Sequence, residues 1–228
     1  MTTRQFVKAV GAFAALVAMV LGGVLISSPG VKAHDDENNH ESRIQQGFRI
    51  APVPLNLAGK NRALVGLGSY LVNGPGDCNA CHNAGPGNNQ FLPGGNPFFG
   101  QPEMINPATY LGGGRDFGPL VPGSAHIISR NLTPDKTGMP EGGRPFTEFL
   151  LIMRTGADLE HLHPTCPTVT VNPGCVPPPF AGNLLQVMPW FAFKNVTDHD
   201  LRAIYEYLSK VPCVAGPPAP SPLHNDCH

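Results

Sequence analysis

Charge is scarce in this sequence: 14% of its 228 residues are Asp, Glu, Lys or Arg, and the formal net charge is −1. With no basic excess, the electrostatic footprint of a nucleic-acid-binding protein is missing. Aromatic residues make up only 7%, with a single tryptophan, Trp190. No segment of useful length alternates apolar and polar residues as a half-buried strand does. No internal repeat is present. Of the six cysteines, only one pair is spaced C-x-x-C. That excludes a structural zinc site built from two such pairs.

Glycine and proline are abundant instead, 27 and 26 residues, nearly a quarter of the chain. They fall mostly between short apolar segments. The expectation is a small helical core with long irregular loops. An apolar cofactor would give such loops a body to pack on.

Residues 1–33 read as a signal peptide or an N-terminal membrane anchor. Arg4 and Lys8 precede an uncharged run from Ala9 to Ile26, and Val31-Lys32-Ala33 offers a small-residue cleavage site. Residues 9–26 would span about 27 Å as a helix, just under the ~30 Å hydrocarbon core of a bilayer. Both readings place the rest of the chain outside the cytoplasm. Residues 34–58 read as a polar, extended linker, with Asp35, Asp36, Glu37 and Glu41 in a solvated stretch.

Cys78-Asn79-Ala80-Cys81-His82 is a C-x-x-C-H motif. Two thiols on one turn of chain can reach the two vinyl groups of one porphyrin. The adjacent imidazole can then ligate the iron. A thioredoxin-like thiol pair needs no following histidine. The single motif predicts one covalently bound haem c per chain, with Cys78 and Cys81 as attachment points and His82 as an axial ligand.

The sixth iron position separates electron transfer from catalysis, since Met, His or water can fill it. Met188 stands out, in a Gln186-Val187-Met188-Pro189-Trp190 loop where the proline restricts the backbone. Met104, Met139, Met153, His126, His161 and His163 are the competitors. Met153 fits an ordinary core position, because Phe149, Ile152 and Met153 share helical spacing. Trp190 could cover a haem edge. Arg115, Arg130, Tyr110 and Asn131 follow the motif and could donate to haem propionates, or be ordinary turn residues.

Helical periodicity marks Asn61 to Val72, leading into the motif, and Thr147 to Thr155, stopped by Gly156. A third helix is expected over Thr197 to Val211, with Thr197 as its cap. Leu201, Ile204, Tyr205 and Leu208 would form its buried face. An all-α fold follows: a small helical domain around one covalently bound haem, with long Gly/Pro-rich loops.

Several segments recur in a known order: Gly68-Ser69-Tyr70-Leu71-Val72, Asp77 to His82, Asn131-Leu132-Thr133-Pro134-Asp135, Phe149 to Gly156, Met188-Pro189-Trp190, and Leu201 to Leu208. The chain resembles the monohaem, cytochrome c class I-like domains of the cytochrome subunits of periplasmic alcohol and sugar-acid dehydrogenases. The resemblance runs from about Gly59 to Pro212. It implies a cytochrome c domain over 59–213, a Pro-rich C-terminal tail over 214–228, and His82 with Met188 on the iron. Those subunits often carry three such domains, where this chain has one. The chain also has a long stretch between Gly156 and Met188, and Phe146 where the family commonly has tryptophan.

Cys166, Cys175, Cys213 and Cys227 remain after haem attachment. Disulfides are expected in an exported protein. Four cysteines allow three connectivities, of which the local pairs Cys166–Cys175 and Cys213–Cys227 are the simplest. Asp158, Glu160, His161 and His163 are read as loop residues near the haem, with metal binding as the alternative.

The expected function is electron transfer in a periplasmic or other extracytoplasmic redox chain, as a carrier or electron-transfer subunit rather than an enzyme. Its partners would be a dehydrogenase, a terminal oxidase or another cytochrome. The alternatives are a haem enzyme with an exchangeable sixth ligand and a structural cytochrome that self-assembles to align haems.

Overall fold

Asn61 begins the first core helix by accepting the N–H groups of Ala63 and Leu64, at 3.0 and 3.4 Å, on its side-chain oxygen. In the computed structural model, which describes residues 33–59, 61–83, 90–168, 171–216 and 223–228, this helix spans Arg62–Asn73. It is preceded by α1, Ala33–Ile50, and is α2 here. The motif turn Cys78–Cys81 is α3. Then come α4, Phe146–Thr155, the single turn α5, Trp190–Phe193, and α6, Asp198–Leu208. The chain divides after Asn39 into two units, and the site lies in the second, His40–His228.

The core is built where helix backbones touch. A Cβ on Gly68 of α2 would collide with the Ala203 carbonyl and the Tyr207 Cβ of α6. Glycine therefore sets the closeness of that crossing. Two residues earlier, on another face of the helix, a Cβ on Gly66 would run into Ile44 and Phe48 of α1. Ser69 Oγ donates to the Gly47 carbonyl at 2.7 Å across the same contact. Val65, Leu67 and Val72 are fully buried on α2, and Leu201, Ala203 and Tyr207 on α6. Thr197 caps α6 by accepting the Asp200 N–H at 3.1 Å. Helix α4 ends at Gly156, which is left-handed at φ 72. Its Phe146 and Phe149 meet Tyr205 of α6 edge to face, with ring centroids 5.3 and 5.5 Å apart.

The all-α expectation is corrected. Only 35% of the described residues are helical, and β1, Asp116–Pro119, pairs antiparallel with β2, His126–Ile128. Strands this short cannot display an alternating pattern. Gly118, at φ 77, and Pro119 interrupt β1, and the register slips between Asp116 and Pro119. A small second core of Ala125, Ile127 and Val176 lies beneath the pair. The Ala125 N–H donates to the Cys175 carbonyl at 3.1 Å, tying the inserted loop to the sheet.

The linker expectation for residues 34–58 is also corrected between Ala33 and Ile50, where the chain is helical. Its composition is too polar for a visible apolar stripe. Ile44, Gly47 and Phe48 nevertheless provide a contact face against α2. The signal or anchor expectation for residues 1–33 lies outside the described residues, apart from Ala33. No described helix is long and apolar enough to cross a membrane.

Both local disulfides are present, Cys166–Cys175 with Cα atoms 5.1 Å apart and Cys213–Cys227 with Cα atoms 5.7 Å apart. The tail is further held by Asn225. Its buried amide donates to the Thr133 carbonyl and hydroxyl at 3.1 Å each and to the Pro134 carbonyl at 3.0 Å.

Candidate functional site

The motif turn is launched by Asp77, a left-handed non-glycine residue at φ 39 and ψ 45 that follows Gly74-Pro75-Gly76. The turn is closed by the His82 N–H donating to the Cys78 carbonyl at 2.9 Å. Asn79 points inward and is buried. Its side-chain oxygen accepts the Leu111 N–H at 3.0 Å, fixing the turn to the following loop. That loop is anchored in turn by Tyr110, whose hydroxyl lies 2.8 Å from that of Tyr207 and also bonds Asn73. Burial, with the neighbouring Tyr207, holds the Tyr110 phenol well above its ordinary range.

Cys78 and Cys81 are the described cysteines outside disulfides. Burial, with the charges of Asp77 and Cys81 adding to it, pushes the Cys78 thiol up to about 12. The thiol is therefore held protonated. Cys81 is exposed.

His82 Nδ1 lies 2.8 Å from the Arg130 carbonyl oxygen. A carbonyl can only accept, so this bond assigns the proton to Nδ1 and leaves a lone pair on Nε2. Burial lowers the affinity of the ring for a second proton. The Arg130 charge acts the same way, against the opposing effect of the hydrogen bond. The neutral ring is the form that ligates a metal. Arg130 is itself clamped, with its guanidinium 2.6 Å from Asp158 and also paired with Glu160.

Met188 sits in a braced loop. Gln186 Nε2 donates to the carbonyls of Ala181 and Leu184, at 2.9 Å each. The Met188 N–H donates to the Gln186 carbonyl at 2.8 Å, and the Met188 carbonyl accepts from Trp190 at 2.9 Å. Val187 is left-handed, at φ 69. The Trp190 indole lies against Gly156, where any Cβ would enter the ring.

Cys78, Cys81, His82, Arg130 and Met188 all line one cavity of about 340 Å³. The rest of its wall is mostly apolar: Ile127 and Ile128 of β2, Phe149, Ile152 and Met153 of α4, Ile204 and Leu208 of α6. His163 also reaches this cavity, with Nε2 2.9 Å from the His126 carbonyl.

Other expected residues are placed elsewhere. Trp190 packs on Gly156 and does not line the cavity. Arg115 donates to the Ala80 carbonyl and lies over the Phe117 ring. Asn131 holds the tail, donating to the Val214 carbonyl at 2.7 Å. Tyr110 belongs to the buried hydroxyl network. His161 is exposed and left-handed, at φ 50, and His126 is engaged 2.8 Å from Asp116. Asp158 and Glu160 bind arginines. Among the described residues no group of three or more His, Cys, Asp or Glu is arranged to hold a metal ion. The residues that sequence reading missed are the Arg130 carbonyl, the Gln186 brace and the isoleucines of β2. A backbone acceptor carries no residue signature, while Gln186, two residues before Met188, was visible.

A single porphyrin fits this donor set. One apolar cavity is lined by two unpaired thiols, a neutral imidazole with a free lone pair and a thioether. Comparison with known proteins points to a protein related to cytochrome c. The chain is 30% identical over 148 residues to the gluconate 2-dehydrogenase cytochrome c subunit of Pantoea cypripedii. The match covers 64% of this chain and 23% of that protein, so the chain spans about a quarter of its relative's length. No family model and no solved structure matches.

Proposed function

We propose that the chain is a monohaem c-type cytochrome that carries electrons outside the cytoplasm. Cys78 and Cys81 would hold haem c through thioether bonds, and His82 and Met188 would ligate its iron. The observation that carries this reading is the convergence of those four side chains on one apolar cavity. The Arg130 carbonyl supports it by holding His82 in the ligating tautomer. Haem c, when bound, supplies a one-electron redox centre.

The chain's own residues set the conditions for that chemistry. The clamp of Arg130 by Asp158 and Glu160 fixes the carbonyl, the carbonyl fixes the imidazole, and the proton stays on Nδ1. The Gln186 brace and the Trp190–Gly156 contact hold the methionine loop in place. Phe149, Ile152, Met153, Ile127 and Leu208 exclude water, which favours the less charged redox state. Methionine ligation also raises the potential relative to histidine. Export is supported by the motif together with two disulfides. The likeness to a dehydrogenase's cytochrome subunit supports a dehydrogenase as electron donor, with an oxidase or another cytochrome as acceptor.

Expression in a host competent for c-type maturation tests the attachment. Haem should remain on the polypeptide after acid–acetone extraction. Cys78→Ala combined with Cys81→Ala should release it. Haem that extracts from the wild-type chain would overturn the reading. His163 on the cavity wall favours one competing reading, histidine/histidine ligation, which predicts a low-spin spectrum unchanged by Met188→Ala.

A further inference from the structure

Glu141 stands between two cavities. It lines the apolar cavity that holds Cys78, His82 and Met188, and it also lines a polar recess of about 460 Å³. Its backbone is left-handed, at φ 54 and ψ 47, within the turn Pro140–Gly143. A residue with a Cβ rarely adopts that conformation, so the surroundings hold it there.

Two arginines face Glu141, and both are engaged elsewhere. Arg144 donates to Glu148 at 3.0 Å and to Glu160 at 2.8 Å. Arg130 binds Asp158 at 2.6 Å and pairs with Glu160. Glu141 is left with Arg144 Nε at 3.9 Å, too far for a hydrogen bond. Four carboxylates thus share two guanidinium groups, and Glu141, 12% exposed, is the least well paired. Burial raises its carboxyl above the ordinary glutamate range, and the charges of Asp158 and Glu148 add to this against those of Arg144 and Arg130. His224 also faces the recess, Asp77, His82 and His163 face the cavity, and the Asp135 carboxylate lies against Gly143.

We infer that Glu141 couples proton uptake to reduction of the haem, taking a proton when the iron is reduced and returning it on oxidation. The inference rests on the haem reading above. The step balances. A one-electron donor, such as a reduced redox protein, converts Fe(III) to Fe(II). One proton from solvent forms an O–H bond on the Glu141 carboxylate. Oxidation reverses both. The recess supplies the route, since its Glu148 and Glu160 side chains are substantially exposed. The driving force is Coulombic: an electron added across a low-dielectric wall raises a carboxylate's affinity for a proton. By linkage, protonation raises the haem's affinity for the electron equally.

The test is potentiometric titration of the full haem-loaded chain, with dithionite and ferricyanide, from mildly acid to mildly alkaline pH. The wild-type midpoint should fall with pH, at a slope approaching about 59 mV per tenfold change in proton activity at full coupling. Glu141→Gln should flatten that slope. Glu141→Asn serves as a second variant, because asparagine tolerates the left-handed conformation. A protonated-carboxyl band should appear in the reduced-minus-oxidised infrared difference spectrum of the wild type and vanish in both variants. Wild-type slope and band retained in the variants would overturn the inference while leaving the haem reading intact. A chain with no covalent haem would overturn the haem reading first.

Discussion

The Nδ1 atom of His82 lies 2.8 Å from the carbonyl oxygen of Arg130, 48 residues further along the chain. This bond ties the C-x-x-C-H turn to the segment that follows β2, and it decides which ring nitrogen faces the cavity. The Arg130 side chain is in turn paired with Asp158 and Glu160.

Asp158→Asn should therefore loosen the imidazole without touching it. Asp158 and Arg130 are both largely buried, at 4% and 12% exposure, and removing one charge leaves the other poorly compensated. With Glu160 still present, the loss should be about 2 kcal/mol, read as a lower denaturation midpoint. The axial-ligand signature in the electron paramagnetic resonance spectrum should broaden. An unchanged spectrum would mean that the clamp does not orient His82.

Gly156→Ala should disturb the methionine loop. The position is left-handed, which costs a Cβ-bearing residue about 1–2 kcal/mol, and the new methyl group would occupy the space of the Trp190 indole. Trp190 follows Met188 by two residues. The expected outcome is a partly high-spin ferric spectrum, with covalent haem retained. A fully low-spin spectrum would separate the loop from this contact.

Gly68→Val should be strongly destabilising, because Gly68 is buried where α2 crosses α6. The added side chain meets the Ala203 backbone, which cannot rotate aside as a side chain could. Overpacking costs of about 1–3 kcal/mol are usual, and a backbone collision should sit at or above the upper end. Thermal unfolding measures it. Gly59→Val is the control, since the space around that Cβ is open, although its φ of 66 adds local strain.

Stability should also depend on pH through Glu141. Its carboxyl is raised above the usual glutamate range in the folded chain by burial. A raised acid binds protons more strongly in the folded state than in the unfolded state. Stability is therefore fully retained below the ordinary glutamate value and falls as pH rises through the folded-state value. Glu141→Gln should match the wild type in acid and exceed it at neutral pH in denaturant titrations. Equal stability at both pH values would place the carboxyl in water.

Local chemistry made part of this molecule legible in the sequence. Asn61, Thr197 and Gly156 announce helix ends because capping depends on the residue itself and its immediate neighbours. C-x-x-C-H points to covalent haem because thioether attachment requires those atoms at that spacing. Contacts between distant segments left no such trace. The strands at Asp116 and His126 are set by pairing with each other, and α1 by its fit of Gly47 against Gly66. Tyr110 and Asn131 carry donors that suit a propionate, yet the fold spends them on the Tyr207 hydroxyl and the C-terminal tail.

The central claim is that one haem c sits between His82 and Met188. Near-infrared absorption of the ferric protein tests it most directly. The account predicts a sulfur-to-iron charge-transfer band in the wild type, lost in Met188→Ala while the haem stays covalently attached. A wild-type spectrum without that band, or a band that survives Met188→Ala, would contradict it.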